Sequence, residues 1–138
     1  MSDLVRLTFS LEPSLADAMH RALSKHGYEN RSEFLRDLIR QRLVEDQWHS
    51  DQEVVASVTM IYSHHTPGLS DWLTHVQHEH HNAVLATMHV HLDEHLCAEV
   101  TLMRGKASEL KHLADNLQRR KGVLHAAVSM STTGEGLT

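Results

Sequence analysis

Three imidazoles, of His89, His91 and His95, and the thiol of Cys97 fall within nine residues of this chain, in the stretch TMHVHLDEHLC from Thr87 to Cys97. His89 and His91 are two apart, and on a strand that spacing turns both rings to the same face. Whether Cys97 joins them depends on how the chain turns back. If Asp93, Glu94 and His95 form a three-residue loop, Leu92 opposes Leu96, His91 opposes Cys97 and His89 opposes Glu99. A two-residue loop would set Cys97 opposite Val90, on the other face. A three-residue hairpin loop ordinarily holds one residue in the left-handed region, where Asp, Asn and His are best tolerated. The same register gathers Met88, Val90, Leu92, Ala98, Val100 and Leu102 on the opposite face, which is expected to be the core.

A thiolate with two imidazoles is a ligand set for a thiophilic transition metal, and a four-coordinate ion needs one ligand more. The run HVQHEHH just upstream offers His75, His78, His80 and His81. Three His and one Cys can hold Zn(II) in a tetrahedron or Ni(II) or Cu(II) in a plane, and spacing alone does not choose. Glu99, facing His89, is placed to orient its ring as an outer partner. His64, His65, His95, His112 and His125 have no matched partner in this register and read as surface histidines. A closed four-ligand site leaves no open position for substrate or water, so no hydrolytic enzyme and no small-molecule substrate are expected.

The elements that position these groups must come from a chain of 138 residues, enough for one ordinary domain or two small ones. Hydrophobic residues make up 41% and aromatic ones 4%, so the cores are built from Leu, Val, Ala and Met. Cores of that size are usually helped by oligomerisation or a bound metal. The formal charge of −5 excludes a polycation that coats nucleic acid without specificity, though not contact through a few placed groups. Residues 1–46 carry seven Lys/Arg against eight Asp/Glu, so any nucleic-acid contact there relies on geometry. With one cysteine, no disulfide forms within the chain. No stretch has the length of a membrane span or the pattern of a secretory leader, and a cytoplasmic protein is expected. Twelve of the fourteen histidines lie beyond residue 46, a first sign of two domains with different tasks.

Leu4 to Leu11 alternates, with Val5, Leu7, Phe9 and Leu11 on one face and Arg6, Thr8 and Ser10 on the other, as in a strand. Pro13 suits the first turn of a helix carrying Leu15, Met19, Ala22 and Leu23, and Gly27 suits its end. Asn30 is a good cap for a second helix, extended by Glu33 and bearing Phe34, Leu35, Leu38, Ile39 and Leu43. A lone strand followed by two helices has unpaired edges, which a second copy of the chain would satisfy by supplying the other strand. With strand VRLTFSL and helix start NRSEFLRDLI, residues 1–46 resemble the ribbon-helix-helix DNA-binding family, which implies an intertwined βαα dimer. Residues 47–52 read as a polar linker. From 53 to 131 the periodicities give βαββαβ, an α+β ferredoxin-like sheet with helices on one face. Residues 132–138 (TTGEGLT) read as a loose tail.

The N-terminal segment followed by QHEHH, HVHLDEHLC and EV is similar, over almost the whole chain, to the nickel-responsive transcriptional regulator family. The resemblance implies a homotetramer joined through ACT-like C-terminal domains and one Ni(II) per subunit in a square plane. Carried over by motif, the ligands are His89, His91 and Cys97 of one subunit with His78 of a neighbour. The family often has an unbroken histidine run where this chain has His78-Glu79-His80-His81. The resemblance implies contacts to double-stranded operator DNA from Arg6, Thr8 and Ser10, where Ser10 replaces a commoner Thr. A two-stranded ribbon fits the major groove, and Arg can pair bidentately with guanine there. Asn30, Arg31 and Ser32 at a helix start suit phosphate contacts. Glu33 and Asp37 are implied as a secondary cation site. The expected function is repression of nickel-uptake genes when Ni(II) is bound. The alternative is a metallochaperone or storage protein whose first domain serves only to dimerise.

Overall fold

The computed structural model of the chain describes residues 3–138, so Met1 and Ser2 of the expected first domain lie outside the described residues. The chain divides after Gln41 into two compact units. The first holds α1 (Pro13–Lys25) and the beginning of α2 (Arg31–His49). Pro13 stands at the first helical position, where its missing N–H costs nothing. Gly27, at φ 72°, ends α1, and Tyr28 N–H donates back to the Leu23 carbonyl at 3.0 Å, satisfying a terminal acceptor. Asn30 caps α2 as expected, its Oδ1 accepting from Glu33 N–H at 2.9 Å.

The expected strand at Leu4–Leu11 is not formed: residues 3–12 make neither helix nor paired strand. A strand is held by its ladder, and no described residue of this chain pairs with the segment. Its apolar side chains stay in solvent, Leu7 at 83% of full exposure, as do Leu38 and Ile39 of α2.

The second unit contains β1 (Glu53–Ser63), α3 (Leu69–Glu79), β2 (Val84–His91), β3 (Leu96–Lys106), α4 (Ala107–Arg119) and β4 (Val123–Met130). The sheet order is β2-β3-β1-β4 and every pair is antiparallel, which is the ferredoxin-like arrangement read from the periodicities. Val54, Ala56, Val58, Met60 and Tyr62 alternate along β1 onto one face. There they join Leu69, Leu73 and Val76 of α3 and Leu110, Leu113 and Leu117 of α4 in a single core. Burying each of these Leu and Val side chains stabilises the fold by about 1.5–3 kcal/mol.

Cys97, Glu99, Thr101 and Met103 of β3 lie on this helix-covered face. The expectation that Met88, Val90, Leu92 and Leu102 form the core is therefore wrong: the ligand face is the core face. Those four are 39–60% exposed on the other side of the sheet, which no helix among the described residues covers. Alternation was read correctly, but it does not say which face receives the helices.

The segment read as a linker is also different. α2 continues through His49, so only Ser50–Gln52 connect it to β1. The segment read as a loose tail is tied to α2, since the Thr132 hydroxyl donates to Gln47 Oε1 at 2.8 Å. Gln47 Nε2–H donates to the Glu135 carbonyl at 3.0 Å.

Asp51 takes φ 53° in the short connection and its Oδ1 accepts from Ser108 N–H at 2.7 Å, capping α4 from outside the helix. That backbone bond, helped by the Ser108 hydroxyl and by Lys106 and Lys111, holds the Asp51 carboxyl below the usual carboxylate range. Its folded pKa is thus depressed, so its stabilisation is complete above the unfolded value of about 3.9 and is lost as pH falls through the lower folded one. Asp51→Asn is expected to melt earlier than the parent at neutral pH, with the gap closing toward pH ~3. Parallel melting curves across that range would contradict this role.

Candidate metal centre

The hairpin between β2 and β3 has the register that the ligands require. His91 pairs with Cys97, His89 with Glu99 and Val90 with Ala98, and Leu92 N–H donates to the Leu96 carbonyl at 2.8 Å. The loop is the three residues Asp93–His95, but its turn is made differently from the expectation. None of the three has positive φ, a conformation that Asp51 alone adopts among the described non-glycine residues. Instead the Asp93 Oδ1 accepts from His95 N–H at 2.7 Å and Leu96 N–H at 2.8 Å, a side-chain mimic of a backbone turn. These two bonds hold the Asp93 carboxyl below its ordinary range.

Cys97 is fully buried and its Sγ lies 3.4 Å from His91 Nδ1 and 3.5 Å from His64 Nδ1. His64, His91 and Cys97 offer ligand atoms that all lie within 4.8 Å of one another. With metal–sulfur near 2.3 Å and metal–nitrogen near 2.05 Å, cis ligands would be about 3.1 Å apart in a plane and about 3.6 Å apart in a tetrahedron. The observed separations fall between these limits, and the donor set fits a thiophilic divalent ion.

His64 was read as a surface residue and is not one. It follows β1, which pairs Tyr62 with Cys97, and its N–H donates to the His95 carbonyl at 3.2 Å. A strand pairing between residues 35 apart in sequence carries no local signal. Burial, then the neighbouring His65, His91 and His95, push its pKa below the ordinary histidine value, which favours the neutral, ligating imidazole.

His89 lies next to His91, ring centroids 5.1 Å apart, but its Nδ1 is taken up by another network. The Tyr62 hydroxyl donates to Glu99 Oε2 at 2.8 Å, and its oxygen is 3.0 Å from His89 Nδ1. Burial and the adjacent Glu99 raise the Tyr62 pKa, so the phenol keeps its proton. With that proton committed to Glu99, Tyr62 accepts from His89 Nδ1–H, and His89 Nε2 is left with its lone pair free to ligate. Glu99 is thus placed as expected, 3.5 Å from His89 Nδ1. Tyr62 and Gln77 are partners that the sequence reading missed. Gln77 of α3 donates to Glu99 Oε1 at 2.6 Å and accepts from the Thr87 hydroxyl at 3.1 Å, tying α3 to both strands of the hairpin. His78, the next residue, is in the last turn of α3 and exposed, outside the three-residue cluster.

Residues 55–131 match the family model described as the NikR C-terminal nickel-binding domain. The chain belongs to the nickel-responsive regulator family. Relatives named as nickel-responsive regulators extend the likeness to the whole chain. The one from Geobacter metallireducens is 48% identical and that from Geobacter sulfurreducens 47%, each over 99% of both chains. One from Caldanaerobacter subterraneus is 42% identical over 99% of this chain and 90% of its own. The family is one of transcription regulators, not enzymes. In this member of the nickel-responsive regulators, the matched region coincides with the βαββαβ unit that carries the candidate metal centre.

The residues expected to meet DNA lie in the other unit. Arg6, Thr8 and Ser10 are exposed in the unpaired segment, and Ser32 is exposed in the first turn of α2. Asn30 uses its side chain as the helix cap, and the Arg31 guanidinium lies 2.7 Å from His20 Nε2. Asp37 accepts from the Tyr28 hydroxyl at 2.8 Å and from Arg40 at 3.4 Å, and Glu33 stands one turn before it.

Gln77→Leu keeps the volume of the side chain and removes every polar link from α3 to Glu99 and Thr87. Nickel affinity, read by competition with a chelator, is expected to fall about 10- to 100-fold, as for other outer partners of a metal site. An unchanged affinity would show that the network does not hold His89.

Proposed function

We propose that this chain is a nickel-dependent repressor of nickel-uptake genes, a cytoplasmic homotetramer that binds operator DNA when each subunit holds one Ni(II). The observation that carries the reading is the hairpin register, which sets the buried Cys97 thiol 3.4 Å from His91 and turns His89 to the same face. His89, His91 and Cys97 ligate the ion, and His78 of a neighbouring subunit completes a planar set. The exposed position of His78 at the end of α3 suits a ligand that serves another chain. His64 is the competing ligand within the chain, suited to ions that prefer a tetrahedron.

The exposed sheet face bearing Met88, Val90, Leu92 and Leu102 supplies apolar surface for tetramer assembly. In the first unit, Leu4, Val5, Leu7 and Phe9 are exposed beside the exposed Leu38 and Ile39 of α2. Pairing Leu4–Leu11 with the same segment of a second chain completes the ribbon-helix-helix dimer and covers them. Arg6, Thr8 and Ser10 then lie on the outer face of a two-stranded ribbon sized for the major groove. Asn30, Arg31 and Ser32 meet phosphates through the start of α2. Glu33 and Asp37 form a secondary cation site near that helix start. No helix among the described residues is long and apolar enough to cross a membrane.

Selection from a pool of random duplexes, with the full chain and Ni(II), identifies the operator. The triple variant Arg6→Ala, Thr8→Ala, Ser10→Ala is then expected to lose at least about a hundredfold in affinity for the selected duplex, since each bidentate base contact is worth about 1–3 kcal/mol. Its nickel binding should be unaltered. Retained affinity for the duplex would remove the DNA role from this face, leaving a storage or delivery protein as the better reading.

A further inference from the structure

α2 is shared by the two units, residues 31–41 grouping with the first and 42–49 with the second. A helix that passes from one unit to the other transmits motion only if its far end is fixed. Three observations show that it is. Trp48 is 5% exposed, sits in the core of the second unit, and donates through Nε1–H to the Ser131 carbonyl. Gln47 uses both ends of its amide on the segment after β4: Nε2–H donates to the Glu135 carbonyl, and Oε1 accepts from the Thr132 hydroxyl at 2.8 Å. That segment is itself shaped for the contact, since Gly134 N–H donates to Thr132 Oγ1 at 3.0 Å and Ser131 N–H donates to the Val55 carbonyl of β1 at 2.8 Å.

A side-chain amide on a residue that is 9% exposed, satisfied at both ends, is costly to leave unpaired. Ser131 is anchored near the start of β1, the strand that runs on through Tyr62 to Ser63, just before His64. Residues 131–135 therefore add a hydrogen-bonded link between the end of α2 and the strand that runs into the metal centre, beside the packing of Trp48 in the core.

We propose that residues 131–135 are a strap that fixes the end of α2 to the metal-binding sheet, and that this strap is required for metal occupancy to be felt at the DNA-binding unit but not for metal binding. The coupling half of this statement rests on the regulator reading above. Without residues 132–135 the Gln47 amide loses both partners, the last turn of α2 rests on the packing of Trp48 and its bond to Ser131, and a change in the sheet is carried less firmly along the helix.

The test uses the full chain and two variants. One is shortened after Ser131; the other, Thr132→Val, is a milder change that keeps the chain length. In metal-free protein, amide hydrogen exchange over residues 42–50 is expected to quicken at least about tenfold in the shortened chain and less in Thr132→Val, with β1 and β3 amides unaltered. Both variants should show the Ni–thiolate absorption band of the parent at the same nickel affinity. The gain in affinity for the selected duplex on adding Ni(II) should fall by about tenfold or more in the shortened chain. Unaltered exchange over residues 42–50 overturns the strap. Quickened exchange with the full nickel-dependent gain retained overturns its coupling role. If the intact chain selects no duplex at all, it is the regulator reading that fails, while the exchange result still decides whether the strap exists.

Discussion

Cys97→Ser is expected to lower nickel affinity by well over about a hundredfold and to abolish the thiolate-to-metal absorption band. Loss of an outer partner already costs about 10- to 100-fold, and Cys97 is the one anionic donor of the set. The thiol is fully buried between His91 and His64, so the change also leaves a hydroxyl where a polarizable sulfur was packed. Far-ultraviolet circular dichroism of the variant should match the parent, because Ser and Cys differ little in size. Two further variants separate the competing ligand sets. His89→Ala should lose the planar nickel spectrum, whereas His64→Ala should keep it and weaken Zn(II) instead. The reverse outcome would assign the nickel site to the cluster that lies within one chain, His64, His91 and Cys97, and would remove the need for a neighbour's His78. Because the ligands must be deprotonated, nickel affinity should also fall as pH drops through the histidine range. The lowered pKa of His64 makes its own contribution persist to lower pH than that of an ordinary histidine.

The double variant Met88→Lys, Val90→Lys is expected to break the tetramer and, with it, the nickel site. Both side chains stand on the sheet face that no helix among the described residues covers, paired with Val100 and Ala98. Burying two such residues is worth about 1.5–3 kcal/mol each, so losing them raises the dissociation constant by more than about a hundredfold before the cost of two buried charges is added. Light scattering should report the smaller species. Nickel titration of that species should show no planar site if the fourth ligand comes from another subunit, and an unaltered one if it does not. A tetramer that survives both lysines would place assembly on another surface.

The legible part of this molecule was its local part. Alternation along Thr87–Cys97 carried the hairpin register, because a period of two leaves only one pairing that puts all three donors on one face. Asn30, Pro13 and Gly27 marked helix ends through backbone requirements that act within a few residues. What escaped depended on contacts remote in sequence. His64 becomes a candidate ligand through the pairing of Tyr62 with Cys97. Gln77 reaches Glu99 only because α3 folds over the ligand face. The polar segment after Asp46 read as a linker because its hydrogen-bond partners are near residues 131–135, more than eighty positions away. The choice of which sheet face is covered is likewise a tertiary property. Both faces of β3 alternate well enough to be a core, and alternation alone does not choose between them.

In the proposed function nickel occupancy and DNA affinity are coupled in one chain, and a single titration tests that coupling. Ni(II) is added stepwise to the metal-free full-length protein at fixed salt while binding to the selected duplex is followed by fluorescence anisotropy. Affinity is expected to rise by about tenfold or more, with the rise complete at one Ni(II) per chain. A duplex affinity that is the same at zero and at one equivalent would contradict it.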